Sequence, residues 1–248
     1  MTPLDQERLV LIPAFNAGAL LEKTVRGALE HWRPVWVVDD GSTDGSVERL
    51  GDVLSEEPGF HVMRLQQNKG KGAALFAGAR EALGAGYTHI LTMDADDQHD
   101  AGSIERFMVA SRNNPEALIM GRPRFGEDVP RARLWGRQLS IFWTELETGF
   151  RGLGDSLFGF RVYPLAPFCR ALEETSWARG FDFDPEIAVR LCWAGLRPIS
   201  VDTPVRYHDL RKGGVSHFHY FRDNLLLTWL HFRLVPEMIL RKLGKFFQ

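Results

Sequence analysis

Two carboxylates one residue apart, Asp94 and Asp96, stand in the run Asp94-Ala95-Asp96-Asp97-Gln98-His99-Asp100, directly after the apolar stretch Ile90-Leu91-Thr92-Met93. Carboxylates at such a turn suit a hard divalent cation, Mg2+ or Mn2+, which keeps open positions for phosphate oxygens. The competing use is an acidic helix start before Gly102, favoured by the helix dipole. A second segment, Asn68-Lys69-Gly70-Lys71-Gly72, can cradle phosphate at a helix N-terminus. It has neither the spacing and Ser/Thr of a P-loop nor the dinucleotide glycine pattern, which counts against an NTPase and a dehydrogenase. A third, Phe181-Asp182-Phe183-Asp184-Pro185-Glu186, places carboxylates just ahead of a helix. Asp184 is the candidate general base. Its competing use is an N-cap with proline at the first helical position.

These residues need a scaffold, and the first 120 residues supply one. Short apolar runs at 9–12, 35–38, 61–65, 89–93 and 117–120 read as strands. Between them lie helical patterns: Leu21, Val25, Ala28 and Leu29, then 46–55, the alanine-rich 71–83, and 102–112. Alternating strand and helix implies right-handed crossovers and a mostly parallel sheet. In such a sheet ligands bind outside the carboxyl ends of the strands. Those ends carry Pro13-Ala14-Phe15-Asn16, Asp39-Asp40-Gly41-Ser42-Thr43-Asp44, Asn68 to Gly72, Asp94 to Asp100, and Gly121-Arg122, so five motifs share one rim. Further on, 134–148 reads as a helix with Trp135, Leu139, Phe142, Trp143 and Leu146 as a core-facing stripe. Residues 157–163 read as a strand, 185–193 as a helix and 198–207 as one or two strands. Arg161 is expected to form a buried ion pair with Asp155.

The bulk numbers set the class. The chain has 248 residues, 44% hydrophobic and 25% charged, an ordinary soluble globular composition. A net charge of −2 argues against a nucleic-acid partner. Cys169 and Cys192 make neither a close-spaced metal pair nor a disulfide framework, which points to a reducing cytoplasm. The polar N-terminus lacks a signal-peptide core, and no apolar run reaches the roughly 18 residues of a membrane span. The chain divides into residues 1–217 and a tail, 218–248. The tail carries Leu225-Leu226-Leu227-Thr228-Trp229-Leu230 and the basic residues Arg222, Arg233, Arg241, Lys242 and Lys245 against Asp223 and Glu237. It reads as an amphipathic helix broken near Pro236. It would dock on the anionic inner face of the cytoplasmic membrane, or else pack on the catalytic domain or a dimer partner. Oligomeric state stays open.

The ordered set Ile12-Pro13-Ala14-Phe15-Asn16, Val38-Asp39-Asp40-Gly41-Ser42-Thr43-Asp44, Asn68-Lys69-Gly70-Lys71-Gly72 and Asp94-Ala95-Asp96 resembles the family 2 glycosyltransferases. Asp94 to His99, Gly121-Arg122, the stretch 135–140 and Gly159-Phe160-Arg161 are similar to dolichyl- or polyprenyl-phosphate sugar synthases. The resemblance implies an α/β GT-A (Rossmann-like) fold: a mostly parallel mixed sheet flanked by helices, with a C-terminal helical tail. It implies an inverting transfer from a nucleotide-diphosphate sugar to a lipid-linked or lipid-like acceptor, assisted by Mg2+ or Mn2+. Pro13, Ala14, Phe15, Asn16, Asp39, Asp40, Lys69, Gly70, Asp94, Ala95, Gln98, Arg122 and Arg137 would then bind the nucleotide sugar. Asp39 and Asp40 would take the base or ribose, Gln98 the phosphates, and Arg122 and Arg137 the diphosphate or an anionic acceptor. Asp94 would hold ribose or metal-linked water and Asp96 the metal itself. Asp184, Asp96, Arg211 and His217 would be the catalytic set. The basic segment from Arg211 to His217 resembles a flap of the polyprenyl-phosphate enzymes, with His217 where a lysine is expected; Asp100 replaces the usual proline. His208 and His219, clustered with His217, would help bind metal or diphosphate or else serve surface or packing roles. Asp182-Phe183-Asp184 with Gly214 to Phe218 also resembles glycosyltransferases of aryl-polyene pigment pathways, which keeps a soluble or pigment-type acceptor open. A sugar-nucleotide-binding protein without transferase activity is the non-enzymatic alternative.

Overall fold

The computed structural model describes residues 4–54, 56–124, 131–175, 177, 180, 182–206 and 220–244. In chain order the elements are β1 (Arg8–Ala14), α1 (Ala19–His31), β2 (Val35–Asp39), α2 (Ser46–Leu54), β3 (Phe60–Arg64), α3 (Lys71–Gly84) and β4 (His89–Thr92). A short 3-10 turn, Ala101–Ser103, leads into α4 (Ile104–Asn113). Then come β5 (Leu118–Arg124), α5 (Arg131–Thr148), β6 (Arg161–Pro164), α6 (Leu165–Glu173), α7 (Phe183–Trp193), β7 (Pro198–Pro204) and α8 (Tyr220–Gly244).

The seven strands form one sheet in the order β3-β2-β1-β4-β6-β5-β7. All neighbours run parallel except β6, which is antiparallel to both β4 and β5. β1 sits centrally, and its Leu9-Val10-Leu11-Ile12 run is fully buried because side chains on both faces meet helices. Each such residue contributes about 1.5–3 kcal/mol of burial. On one face Leu21, Val25, Ala28 and Leu29 of α1 and Ile104, Phe107 and Met108 of α4 close a core. On the other, the small residues of α3 let that helix approach the sheet. A Cβ on Gly78 would lie 2.6 Å from Val38 Cγ2 and 2.9 Å from Leu11 Cδ1, so only glycine fits there.

The alternating first half therefore folds as its pattern predicts. Later elements differ in four places. Helix α6 was not anticipated, and β6 begins at Arg161 rather than at 157. Pro198–Pro204 form one strand, β7, within the expected one or two. The expected apolar stripe of α5 is half outside: Leu139 is 61% and Phe142 53% exposed, while Ser140, Thr144, Glu147 and Thr148 are buried. Those polar groups are mostly satisfied: Thr144 Oγ1 bonds the Ser140 carbonyl and Ser156 Oγ, and Glu147 pairs with His231 at 2.8 Å. The side chain of Trp135 lies outside the described residues. Finally, α8 runs through Pro236 without the expected break. Tertiary contacts hold both sides of the proline: Leu230, Leu234 and Met238 are buried. Arg233 pairs with Glu186 at 2.8 Å and Glu237 with Arg190 at 3.3 Å.

Candidate active site

The loops after β1 and β2 are tied together before they meet any ligand. Asn16 N–H donates to Ser42 Oγ at 3.0 Å, and Thr43 N–H donates to Asn16 Oδ1 at 2.8 Å. Asp39, paired with Ala14 in the sheet, accepts from Ser42 N–H at 2.8 Å. Pro13, Ala14, Phe15 and Asn16 therefore border the same rim as Asp39 and Asp40. Asp40 is buried, and its two oxygens accept from Lys69 N–H and Gly70 N–H at 2.8 and 2.7 Å. Burial raises its pKa, and the two N–H donors only partly offset this. The 68–70 segment thus gives these two N–H groups to the protein's own carboxylate. The side chain of Lys69 remains for a phosphate.

The carboxyl end of β4 carries the acidic turn. Asp94 N–H donates to His99 Nδ1 at 3.1 Å, which makes Nε2 the protonated nitrogen and aims it at Asp94 Oδ2, 3.6 Å away. His99 is buried, its ring 4.7 Å from that of Phe158 and 5.0 Å from that of Phe160. Burial lowers its pKa to about 4, against the raising effect of Asp94, so it is neutral. Asp97 adopts a positive φ of 56°, with its N–H on Thr24 Oγ1 and its carboxylate 2.5 Å from Lys23, which anchors the turn to α1. Asp100, in the place where proline was expected, accepts from Ser103 Oγ at 2.8 Å and from Arg206 at 3.1 Å.

Asp94 and Asp96 differ sharply. For Asp94, burial raises the pKa, but Lys71 and then His99 outweigh it and bring it to about 2. For Asp96, burial and then the charge of Asp94 push it up to about 6. Asp96 is thus a carboxylate short of positive charge, a state that suits a divalent cation. No cluster of three or more His, Cys, Asp or Glu arranged to hold a metal occurs among the described residues. The groups that could hold a cation here are a pair of carboxylates, Asp94 and Asp96. That matches Mg2+, which is usually held by one or two carboxylates together with substrate phosphates and water.

Lys71, the first residue of α3, stands between β4 and α7. Its Nζ lies 2.7 Å from Asp94 Oδ1 and 2.7 Å from Asp184 Oδ2. Asp184 lies inside the first turn of α7, and the helix N-cap is Asp182, which corrects the capping alternative. The Asp184 carbonyl accepts from Arg161 Nη1 at 2.6 Å. Arg161 is fully buried. It also donates to the carbonyls of Ser156 and Phe158 at 2.5 and 2.8 Å. The expected Arg161–Asp155 ion pair is absent because Asp155 pairs with Arg137 instead. Arg137 is close enough for its charge to help keep His99 neutral. Arg122 is exposed and bonds Asp202, as does Arg124 at 2.6 Å.

The structure thus brings Asp94 and Asp184 onto Lys71, keeps Asp96 and Gln98 in the turn that follows Asp94, and sets Arg122 at the β5–β7 edge. Arg211 and His217, with His208 and His219, lie outside the described residues. Sequence reasoning gave no part to His99 or to Lys71's pairing with Asp184. Cys169 and Cys192 are buried free thiols, pushed by burial up to about 11 and about 12, so neither is a nucleophile at neutral pH. A cleft of about 590 Å3, bordered by Pro115, Pro164 and Gly195, lies at the opposite ends of the strands and carries none of these groups.

The sequence profile of "Glycosyl transferase family 2" matches residues 9–174. The chain belongs to glycosyl transferase family 2. As a family 2 member it is a nucleotide-sugar-dependent glycosyltransferase. It is 29% identical over 211 residues to an undecaprenyl-phosphate mannosyltransferase of Micrococcus luteus, covering 83% of this chain and 85% of that one. It is 32% identical over 218 residues to a polyprenol monophosphomannose synthase of Mycolicibacterium smegmatis, covering 85% and 80%. Among solved structures, glucosyl-3-phosphoglycerate synthase from Mycobacterium tuberculosis, in complex with uridine diphosphate, is similar with a TM-score of 0.61 and 17% identity. It covers 95% of this chain and 80% of that one. The family 2 fold is thus the GT-A type, with a mixed seven-stranded sheet and a C-terminal helix.

Proposed function

We propose that this family 2 enzyme transfers a sugar from a nucleoside-diphosphate sugar to a polyprenyl-phosphate or similar lipid acceptor, with inversion and with Mg2+ or Mn2+. The observation that carries the reading is the convergence of Asp94, Asp96, Lys71 and Asp184 at the carboxyl ends of the central strands. The named acceptors of the two relatives at 29% and 32% identity support the lipid half.

In this reading Pro13, Ala14, Phe15, Asn16, Asp39 and Asp40 border the nucleoside, and Asp96, with Asp94 and Gln98, holds the cation and diphosphate. A bound divalent cation supplies Lewis-acid neutralisation of the charge that grows on the departing diphosphate. Lys69 and Lys71 add positive charge on the same side. A phosphate acceptor is already anionic and needs no base, so Asp184 then orients groups. A hydroxyl acceptor would give its proton to Asp184, whose Oδ1 is buried without a hydrogen-bond partner among the described residues. Arg122 and Arg137 would meet the diphosphate or an anionic acceptor, and Arg211 and His217 complete the catalytic set.

Residues 1–217 are read as the catalytic domain and 218–248 as an appendage that faces lipid at the inner surface of the cytoplasmic membrane. No helix among the described residues is long and apolar enough to cross a membrane. Helix α8 nevertheless exposes Leu225, Trp229, Phe232, Ile239, Leu240 and Leu243, with Phe232 70% and Leu240 68% exposed. Steps of four, three, seven and four residues from Leu225 through Trp229, Phe232 and Ile239 to Leu243, with Leu240 beside Ile239, make one outer stripe, opposite the buried Leu230, Leu234 and Met238. Trp177 lies 6.4 Å from Trp229, ring to ring, and extends the stripe. A continuous apolar face of this kind marks an interaction surface. Wild-type protein is expected to sediment with anionic phospholipid vesicles, and less so as salt rises. In Phe232→Ser/Leu240→Ser each lost side chain removes about 2 kcal/mol of insertion, so partitioning falls about a thousandfold. Equal sedimentation of the two proteins, or none by either, would assign the stripe to another partner.

A further inference from the structure

The Lys71 ammonium has carboxylates on two sides, with Asp94 and Asp184 each 2.7 Å away. On a third side is bare backbone. A Cβ on Gly159 would lie 2.7 Å from Nζ, so the chain there approaches as closely as glycine permits. Thr92 Oγ1 fixes that approach by donating to the Gly159 carbonyl at 2.6 Å. Asp96 feels the same ammonium, and it feels Asp94 more strongly. Two carboxylates thus clasp one compact cation within reach of the charge of a third, and Asp184 keeps a buried oxygen with no hydrogen-bond partner among the described residues. A divalent ion arriving without a nucleotide meets Asp94 already neutralised by Lys71 and finds Asp96 as its main anionic ligand. One carboxylate is a weak anchor for an ion that gives up its water reluctantly. A diphosphate changes this balance, because it brings oxygens to the metal and offers the ammonium a new anionic partner.

We propose that Lys71 is a built-in placeholder for the divalent cation: it fills the niche between Asp94 and Asp184, so that metal binds well only together with a nucleoside diphosphate, onto which the ammonium then moves. Lys71 thereby couples metal uptake to donor binding and releases Asp94, and with it Asp184, when the donor arrives. The inference rests on the reading of Asp94 and Asp96 as the cation–diphosphate site.

The test is Mn2+ binding, read by electron paramagnetic resonance of the free ion, with and without UDP or GDP. In wild type either nucleotide should tighten Mn2+ binding at least tenfold. Lys71→Met should bind Mn2+ at least tenfold more tightly than wild type without nucleotide, because Asp94 and Asp184 are then left without their cation beside Asp96. Its further gain from nucleotide should be small. Lys71→Arg, which keeps the charge, should stay weak without nucleotide. Thermal melting checks the fold, and Lys71→Gln gives the same comparison if the methionine variant does not fold. If nucleotide tightens Mn2+ binding to wild type but Lys71→Met binds the free ion no better than wild type, the placeholder role is overturned and the donor site stands. If neither nucleotide binds to wild type or affects its Mn2+ affinity, the donor-site reading falls and this inference falls with it.

Discussion

Asp96→Ala is expected to lower sugar transfer by about three orders of magnitude, or about 4 kcal/mol of transition-state stabilisation. The cause is specific. Asp94 is committed to Lys71 at 2.7 Å, whereas Asp96 is left with a pKa raised to about 6 by burial and by Asp94. A group raised in this way binds a proton more tightly in the folded than in the unfolded chain. Above pH 6 its ionised form therefore weighs against folding. Asp96→Ala should then melt at the same temperature as wild type or higher at pH 7, with any gain shrinking as the pH falls through about 6. Lost activity with unimpaired melting separates a ligand role from a structural one. Activity within a factor of ten of wild type would remove Asp96 from the site.

Arg161→Met is expected to have the largest effect on stability, about 3–5 kcal/mol, because three buried carbonyls each lose their donor at about 1–3 kcal/mol apiece. For a domain of this size that lowers the melting temperature by about 10 °C. Arg161 is fully buried and its guanidinium satisfies three carbonyls, those of Ser156, Phe158 and Asp184. Removing it leaves those oxygens without a donor. Lysine should not rescue the loss, because a single ammonium cannot reproduce the planar fork. Because the Asp184 carbonyl is one of the three acceptors, the variant should also lose activity through a displaced Asp184. A melting shift under 2 °C would show that the network is dispensable.

The parts of this protein that were legible in its sequence share one property: their signals are local. The β1 run Leu9 to Ile12 is apolar throughout because it is buried on both faces. The acidic turn from Asp94 to Asp100 stands directly after a strand, where an open parallel sheet collects its ligands. What escaped depends on contacts between distant residues. Lys71 and Asp184 are 113 positions apart, and a lysine in a glycine-rich segment reads as a phosphate ligand until the fold brings α7 beside it. Arg161 looked like a partner for Asp155, but carbonyls already surround it and Arg137 takes the carboxylate. Helix α6 is short and carries Pro167 in its first turn, a position that helices tolerate but that blurs the periodicity. Pro236 reads as a break until the ion pairs and buried leucines on either side of it are known.

The most direct test of the central claim is transfer itself. Purified protein is incubated with Mn2+ and a panel of radiolabelled UDP- and GDP-sugars, with undecaprenyl phosphate in detergent as acceptor, and label is counted in the organic phase. The expected result is one donor whose sugar enters the organic phase as an acid-labile product, with no product after metal chelation or in Asp96→Ala. Donor turnover that never labels the lipid but labels a water-soluble acceptor would contradict the lipid-acceptor reading, and the absence of turnover with every donor would contradict sugar transfer altogether.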